Sequence, residues 1–131
     1  MAPWFREKRL VVIRGATFTG KTHLANLLLM KCIAEFVDSF PPEAFQYFGQ
    51  LDYLRFADVF TFTDTHFAVF DRPDKMLQTT RYADDRMQNI LCNRYDKGLA
   101  TIVVAGTDMS WFTNHAALAA RFERGRQIFL V

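Results

Sequence analysis

The sequence has little of what would cross-link a chain or place it in a membrane. Only two cysteines occur among 131 residues, Cys32 and Cys92, and their separation fits neither a CxxC motif nor a metal site. We expect both to be reduced core residues. No apolar run reaches the ~18 residues that a membrane span needs, and residues 1–8 lack a signal-peptide pattern. We therefore expect no membrane partner and a cytoplasmic location, or a nuclear one in a eukaryotic or viral setting.

The sequence also has almost no excess of positive over negative charge. Sixteen Lys and Arg against 14 Asp and Glu leave a net charge of +2, which does not by itself argue for binding to nucleic acid. Half of the residues are hydrophobic, which is enough for one chain of this length to form a core. We expect a single domain over residues 1–131.

Short β-branched or aromatic runs alternate with longer stretches whose apolar residues recur at helical spacing. We predict strands at residues 10–13, 45–48, 67–70, 101–105 and 127–131, and helices at about 21–36, 50–60, 80–95 and 114–124. A strand at 55–62 is the rival for the second helix, but it leaves too few residues for a parallel crossover. The alternation predicts an α/β fold, a three-layer α/β/α sandwich with a mainly parallel five-stranded sheet.

One motif in the sequence is complete. The pattern G-x-x-x-x-G-K-[ST] lies between the first strand and the first helix, in the residues Gly15, Ala16, Thr17, Phe18, Thr19, Gly20, Lys21 and Thr22. Such a loop cradles phosphates with its backbone N–H groups, while the lysine binds the β- and γ-phosphates and the threonine hydroxyl binds Mg²⁺. We predict a P-loop NTPase fold that binds ATP and Mg²⁺. His23 follows in the nucleotide-binding stretch, with its side chain on the helix face.

A carboxylate at the end of a neighbouring strand would complete the Mg²⁺ site. Asp71 ends the strand at 67–70, so we predict that Asp71 and Thr22 share the metal. The next residue in such enzymes is usually a second acid that polarises the attacking water, but here it is Arg72. An arginine cannot act as that base near neutral pH. Asp74 is the nearest substitute, and we expect slow or absent hydrolysis.

The segments around these motifs resemble the AAA+ core of the DnaC-like helicase loaders and their IstB-like relatives. The resemblance spans nearly the whole chain and rests on the P-loop with its helix, the strand ending in Asp71, residues 93–103 and residues 118–122. It implies a γ-phosphate sensor at the tip of the fourth strand, Thr107 or Asp108. It also implies that Arg121 reaches the nucleotide of a neighbouring subunit in a ring or spiral, and that the partners are a replicative helicase or single-stranded DNA.

Two departures from the loader family concern the sites. The tip of the fourth strand reads Ala105-Gly106-Thr107-Asp108 where the family usually has an Asn, and the second acid after Asp71 is missing. Lys21, Asp71, Thr107 and Arg121 are thus the predicted catalytic residues.

Two other resemblances lead to different functions. Residues 51–56 and the strand to Asp71 are similar to the superfamily 3 helicase domain of viral Rep proteins, which need a β-hairpin before the sensor strand. Residues 96–100 are too few for that hairpin. The stretch Phe70-Asp71-Arg72 resembles the Asp-Arg motif of small nucleotide kinases, in which Arg72 would bind the phosphate acceptor.

Four further side chains have two open interpretations each. Trp111 and Phe112 either stack on a DNA base or cover the end of the sheet. Arg86 and Arg94 either contact phosphates or pair with acidic residues on the surface of their own helix.

Overall fold

The computed structural model describes residues 9–16, 19–54, 59–76 and 80–130 and forms one five-stranded sheet. The order of the strands is β2-β3-β4-β1-β5, and every neighbouring pair is parallel. The strands are β1 (Leu10–Gly15), β2 (Phe45–Phe48), β3 (Phe67–Asp71), β4 (Ala100–Val104) and β5 (Arg126–Leu130). The prediction of an α/β chain with a mainly parallel five-stranded sheet is confirmed.

Helix α1 (Lys21–Phe36) covers one face of the sheet. Its buried residues Ala25, Leu29 and Cys32 recur every three or four positions and pack on Val11 and Ile13 of β1. Alternate residues of β3 and β4 join the same cluster, because successive side chains of a strand point to opposite faces.

The other face of the sheet is covered by α2 (Val59–Asp64), α3 (Arg81–Asp96) and α5 (Ala116–Arg124), with the short helix α4 (Ser110–Thr113) before α5. Its core contains Val12 of β1 and Phe70 of β3, against which Met87 of α3 and Phe122 of α5 pack. Strands buried on both faces explain the continuous apolar runs in the sequence.

The predicted helix at residues 50–60 differs from the structure. A 3₁₀ turn at Asp52–Leu54 and the short helix α2, which ends four residues later than predicted, lie where one helix was expected, and residues 55–58 lie outside the described residues. Tyr53 explains the early turn, because its ring is buried and its hydroxyl donates to the backbone of Phe48 and Asp71. Helix α4 and the 3₁₀ turn Pro73–Lys75 were not predicted.

Both cysteines are buried and unpaired, as expected. Burial raises the pKa of the Cys32 thiol to about 12, so this thiol is protonated at neutral pH. Within the described part of the chain, no helix is both long and apolar enough to cross a membrane.

Candidate functional site

The loop between β1 and α1 holds a buried lysine. The Lys21 ammonium donates to the backbone oxygens of Gly15, at 2.8 Å, and Ala16, at 2.6 Å. The Thr19 hydroxyl stabilises the turn by donating a hydrogen bond to the backbone oxygen of Ala16. Gly20 has φ of 85°, a left-handed conformation that glycine adopts without strain, and it starts α1. Burial, then the positive charge of Arg72, lower the pKa of Lys21, while Asp71 opposes them. Thr17 and Phe18 lie outside the described residues.

The predicted metal ligands lie together. The Thr22 hydroxyl donates to the Asp71 carboxylate over 2.9 Å, although the two residues are 49 positions apart in the chain. Asp71 ends β3 and Thr22 is in the first turn of α1, so the parallel sheet places both at the edge formed by the carboxyl ends of the strands. His23 beside Thr22 is exposed and lines the same cavity of about 350 Å³ as Lys21 and Asp71.

A tyrosine that the sequence did not single out contacts the same carboxylate. The Tyr47 hydroxyl, near the end of β2, donates to the Asp71 oxygen that also accepts from Thr22. Burial, followed by the hydrogen bond to Asp71 and the charge of that carboxylate, raises the pKa of Tyr47. The hydroxyl is therefore protonated at neutral pH and remains a donor. The pairing of β2 with β3 brings the two residues together, and nothing local in the sequence indicates this contact.

Arg72 and Asp74 form an ion pair directly after Asp71. The Arg72 guanidinium donates through Nε and Nη2 to the two Asp74 oxygens, each bond 3.1 Å long. This hydrogen bonding is the main cause that raises the pKa of Arg72, so its charge is permanent. Asp74, the substitute for the second acid, is nearly buried and bonded to a cation. It is therefore poorly placed to take a proton from water.

The tip of β4 lies between the loop and Asp71, because β4 separates β1 from β3 in the sheet. Thr107 is exposed there and lines a cavity of about 360 Å³ with Gly15 and Ala16. Asp108, the other candidate sensor, accepts a hydrogen bond from the Ser110 N–H at the start of α4, and this bond lowers its pKa. Of the two candidates, Asp108 is thus the one whose carboxylate is bonded to the backbone of α4.

Arg121 lies away from the loop of its own chain. Its guanidinium forms two 2.9 Å bonds to the Asp96 carboxylate and a third, of 2.7 Å, to the Ala117 oxygen. Asp96 ends α3 just before β4 begins, so this pair lies toward the amino ends of the strands. The loop between β1 and α1 lies at the opposite edge, about 16 Å away along a five-residue strand.

Arg94 is buried, which contradicts its interpretation as a surface residue. Its guanidinium is 0% exposed and donates to Thr101 and to the backbone oxygens of Phe62, Thr65 and Ala100. It cannot contact a phosphate or an acidic surface partner there. Arg86 donates to the Tyr82 hydroxyl and lies over its ring.

The aromatic pair after β4 covers the sheet. Phe112 is fully buried and stacks on Phe122, while the Trp111 indole N–H donates to Asp84 at 2.9 Å. The interpretation of Phe112 as structural is confirmed, because its ring is fully buried, whereas Trp111 is half-buried and lines the cavity at the tip of β4.

The donor set at Thr22 and Asp71 suits Mg²⁺, which prefers oxygen ligands and is commonly held by one or two carboxylates together with substrate phosphates. A cluster of three or more His, Cys, Asp or Glu side chains that could hold a metal alone is absent from the described residues. Phosphate oxygens and water would supply the remaining ligands of a Mg²⁺ ion bound here.

The chain matches no protein-family model, and no curated protein matches it.

Proposed function

We propose that this chain is an ATP-binding module of the AAA+ type, similar to the DnaC-like helicase loaders, that binds ATP with Mg²⁺ and hydrolyses it weakly. The observation that carries the proposal is the pairing of Thr22 with Asp71 beside the buried ammonium of Lys21. A hydroxyl, a carboxylate and a lysine at the start of a helix are what a Mg²⁺-bound triphosphate requires.

The position of β4 supports the loader-like interpretation. With β4 between β1 and β3, its tip lies beside both the loop and Asp71, where Thr107 could sense a γ-phosphate. Only residues 97–99 connect α3 to β4, which leaves no room for the hairpin of a superfamily 3 helicase. Weak hydrolysis follows from Arg72, because it replaces the second acid and engages Asp74.

The ATP site is tested by titrating a fluorescent ATP analogue into the full chain with Mg²⁺. Lys21→Ala should weaken binding by about tenfold or more, since it removes a charge-assisted bond to phosphate. Lys31→Ala is the matched control, because Lys31 is an exposed lysine on the same helix. Equal affinity of wild type and Lys21→Ala would reject the site.

A role in DNA replication requires a further measurement. Hydrolysis is followed with and without single-stranded DNA, and stimulation by DNA would support an ATPase that acts on replication intermediates. A replicative helicase remains the partner to test by co-sedimentation.

Phosphoryl transfer to a small acceptor is the second candidate function. A cavity of about 490 Å³ lies beside Asp71, is lined by Tyr47, Asp52 and Arg72, and is large enough for a nucleoside monophosphate. The same assay with added monophosphates decides between the two functions. Formation of a diphosphate from the acceptor would favour the kinase, and release of inorganic phosphate alone would favour the ATPase.

A further inference from the structure

Arg72 lies where the candidate site opens to solvent. Its side chain lines the cavity that holds Lys21 and Asp71, the cavity at the tip of β4, and the cavity beside Tyr47. The side chain is 25% exposed, so it is partly buried but reachable by a ligand. It is also close enough to Lys21 for its charge to lower the pKa of that ammonium. Two cations therefore face the same space.

The backbone at Arg72 is held in an unusual conformation. Arg72 has φ of 49° and is the only residue other than glycine with positive φ in the described part of the chain. Such backbone strain persists only where the surroundings fix it, and it concentrates at functional sites. Here the Arg72 N–H donates to the Val104 oxygen over 3.0 Å, which ties the end of β3 to the end of β4.

Two neighbours fix the Arg72 side chain against the tip of β4. Asp74 accepts hydrogen bonds from Nε and Nη2 of Arg72, and Gly106 has no side chain in the space that the guanidinium occupies. A Cβ atom at position 106 would lie 3.1 Å from Nη2 and 3.4 Å from Nη1 of Arg72. The guanidinium thus lies against Gly106, directly before Thr107 at the tip of β4.

We propose that Arg72 binds the γ-phosphate of ATP within its own subunit and makes the site prefer ATP to ADP. The proposal rests on the ATP site proposed above. A guanidinium binds phosphate oxygens through two parallel bonds, and arginines that stabilise a γ-phosphate are supplied either in cis or by a neighbour. Arg121 cannot play this part in its own subunit, because it lies toward the opposite edge of the sheet. In this interpretation, Arg72 replaces an acid that would act on the attacking water with a side chain that binds phosphate.

The experiment compares ATP and ADP affinities of the full chain, using fluorescent analogues of both nucleotides with Mg²⁺. Arg72→Gln should lower ATP affinity by about tenfold and leave ADP affinity nearly unchanged, since only ATP has the third phosphate. If Arg72→Gln does not fold, Arg72→Asn is the second variant, because asparagine tolerates the left-handed backbone.

Asp74→Asn removes the carboxylate that competes with phosphate for Arg72, and it should keep the preference for ATP. Arg81→Gln, an exposed arginine on α3, is the matched control.

The outcomes separate this inference from the proposed function. If folded Arg72→Gln or Arg72→Asn kept the wild-type ratio of ATP to ADP affinity, the proposed role of Arg72 would be wrong. If Lys21→Ala lost affinity for both nucleotides in the same experiment, the proposed ATP site would still be supported. If Lys21→Ala bound both nucleotides like wild type, or if wild type bound neither, the proposed function would fail and this inference with it.

Discussion

Arg94 offers the sharpest test of how the core is built. It is a buried cation without a carboxylate within hydrogen-bonding reach among the described residues, and it joins the end of α2 and the following turn to the start of β4. Burial lowers its pKa to about 9, which still leaves it charged at neutral pH. The Phe70 ring, 5.4 Å from the guanidinium carbon, adds a cation–π contact. We expect Arg94→Met to destabilise the fold strongly.

The size of this effect follows from the groups that lose a donor. Three backbone oxygens and the Thr101 hydroxyl each accept a bond of 3.0 Å or less from Arg94. A buried acceptor deprived of its donor costs about 1–3 kcal/mol. Removing the charge returns several kcal/mol of desolvation penalty, so the net loss should be about 3–5 kcal/mol. This is a large part of the ~5–15 kcal/mol that stabilises a domain.

The assay is urea unfolding of the full chain followed by circular dichroism, with the free energy of unfolding extrapolated to water. Arg81→Met is the control, because Arg81 begins the same helix and is exposed, so its loss should cost within about 0.5 kcal/mol. The free energy of unfolding of Arg94→Lys should lie between those of Arg94→Met and Arg81→Met, since lysine keeps the charge but lacks the planar guanidinium. A free energy for Arg94→Met within about 1 kcal/mol of the control would refute the reasoning.

Two further predictions concern the candidate site and its assembly. Tyr47→Phe should lower the Mg²⁺ concentration needed for tight ATP binding, because Tyr47 now bonds the Asp71 oxygen that a cation would approach; a higher Mg²⁺ requirement in the same titration would contradict this. If Arg121 serves a neighbouring subunit, ATP should promote larger assemblies of wild type in sedimentation, and Arg121→Ala should abolish cooperative hydrolysis but keep the affinity of the monomer for nucleotide. Wild type that stays monomeric at saturating ATP would argue against the ring or spiral.

The sequence predicted much of the fold because its strands are buried on both faces and its long helices have one apolar side. Runs such as residues 10–13 and 67–70 are continuous for that reason, and all five predicted strands occur. The pairing of Thr22 with Asp71 was also predictable, because the motif fixes one partner and the end of a strand fixes the other.

What the sequence did not reveal depends on contacts between distant segments. Arg94 was expected on a polar helix face, but its acceptors come from α2, the turn after it and β4, which no local pattern brings together. Tyr47 reaches Asp71 only because β2 lies beside β3. The helix expected at 50–60 was wrong in its extent because the burial of Tyr53 favours a turn over helical propensity.

The order of the strands also determines how this chain can fold during synthesis. Of the five described strands, β1 is made first and its two partners, β4 and β5, are made last, with Leu10 beside Thr101 and Val11 beside Arg126. Pairings this remote in sequence make folding slow and leave the apolar segment of β1 without a partner while the middle of the chain is made. β2 and β3 are the first neighbouring strands that can pair, followed by β3 and β4. The loop after β1 follows that strand directly, so we expect it to take its described shape only after β4 and β5 have paired with β1.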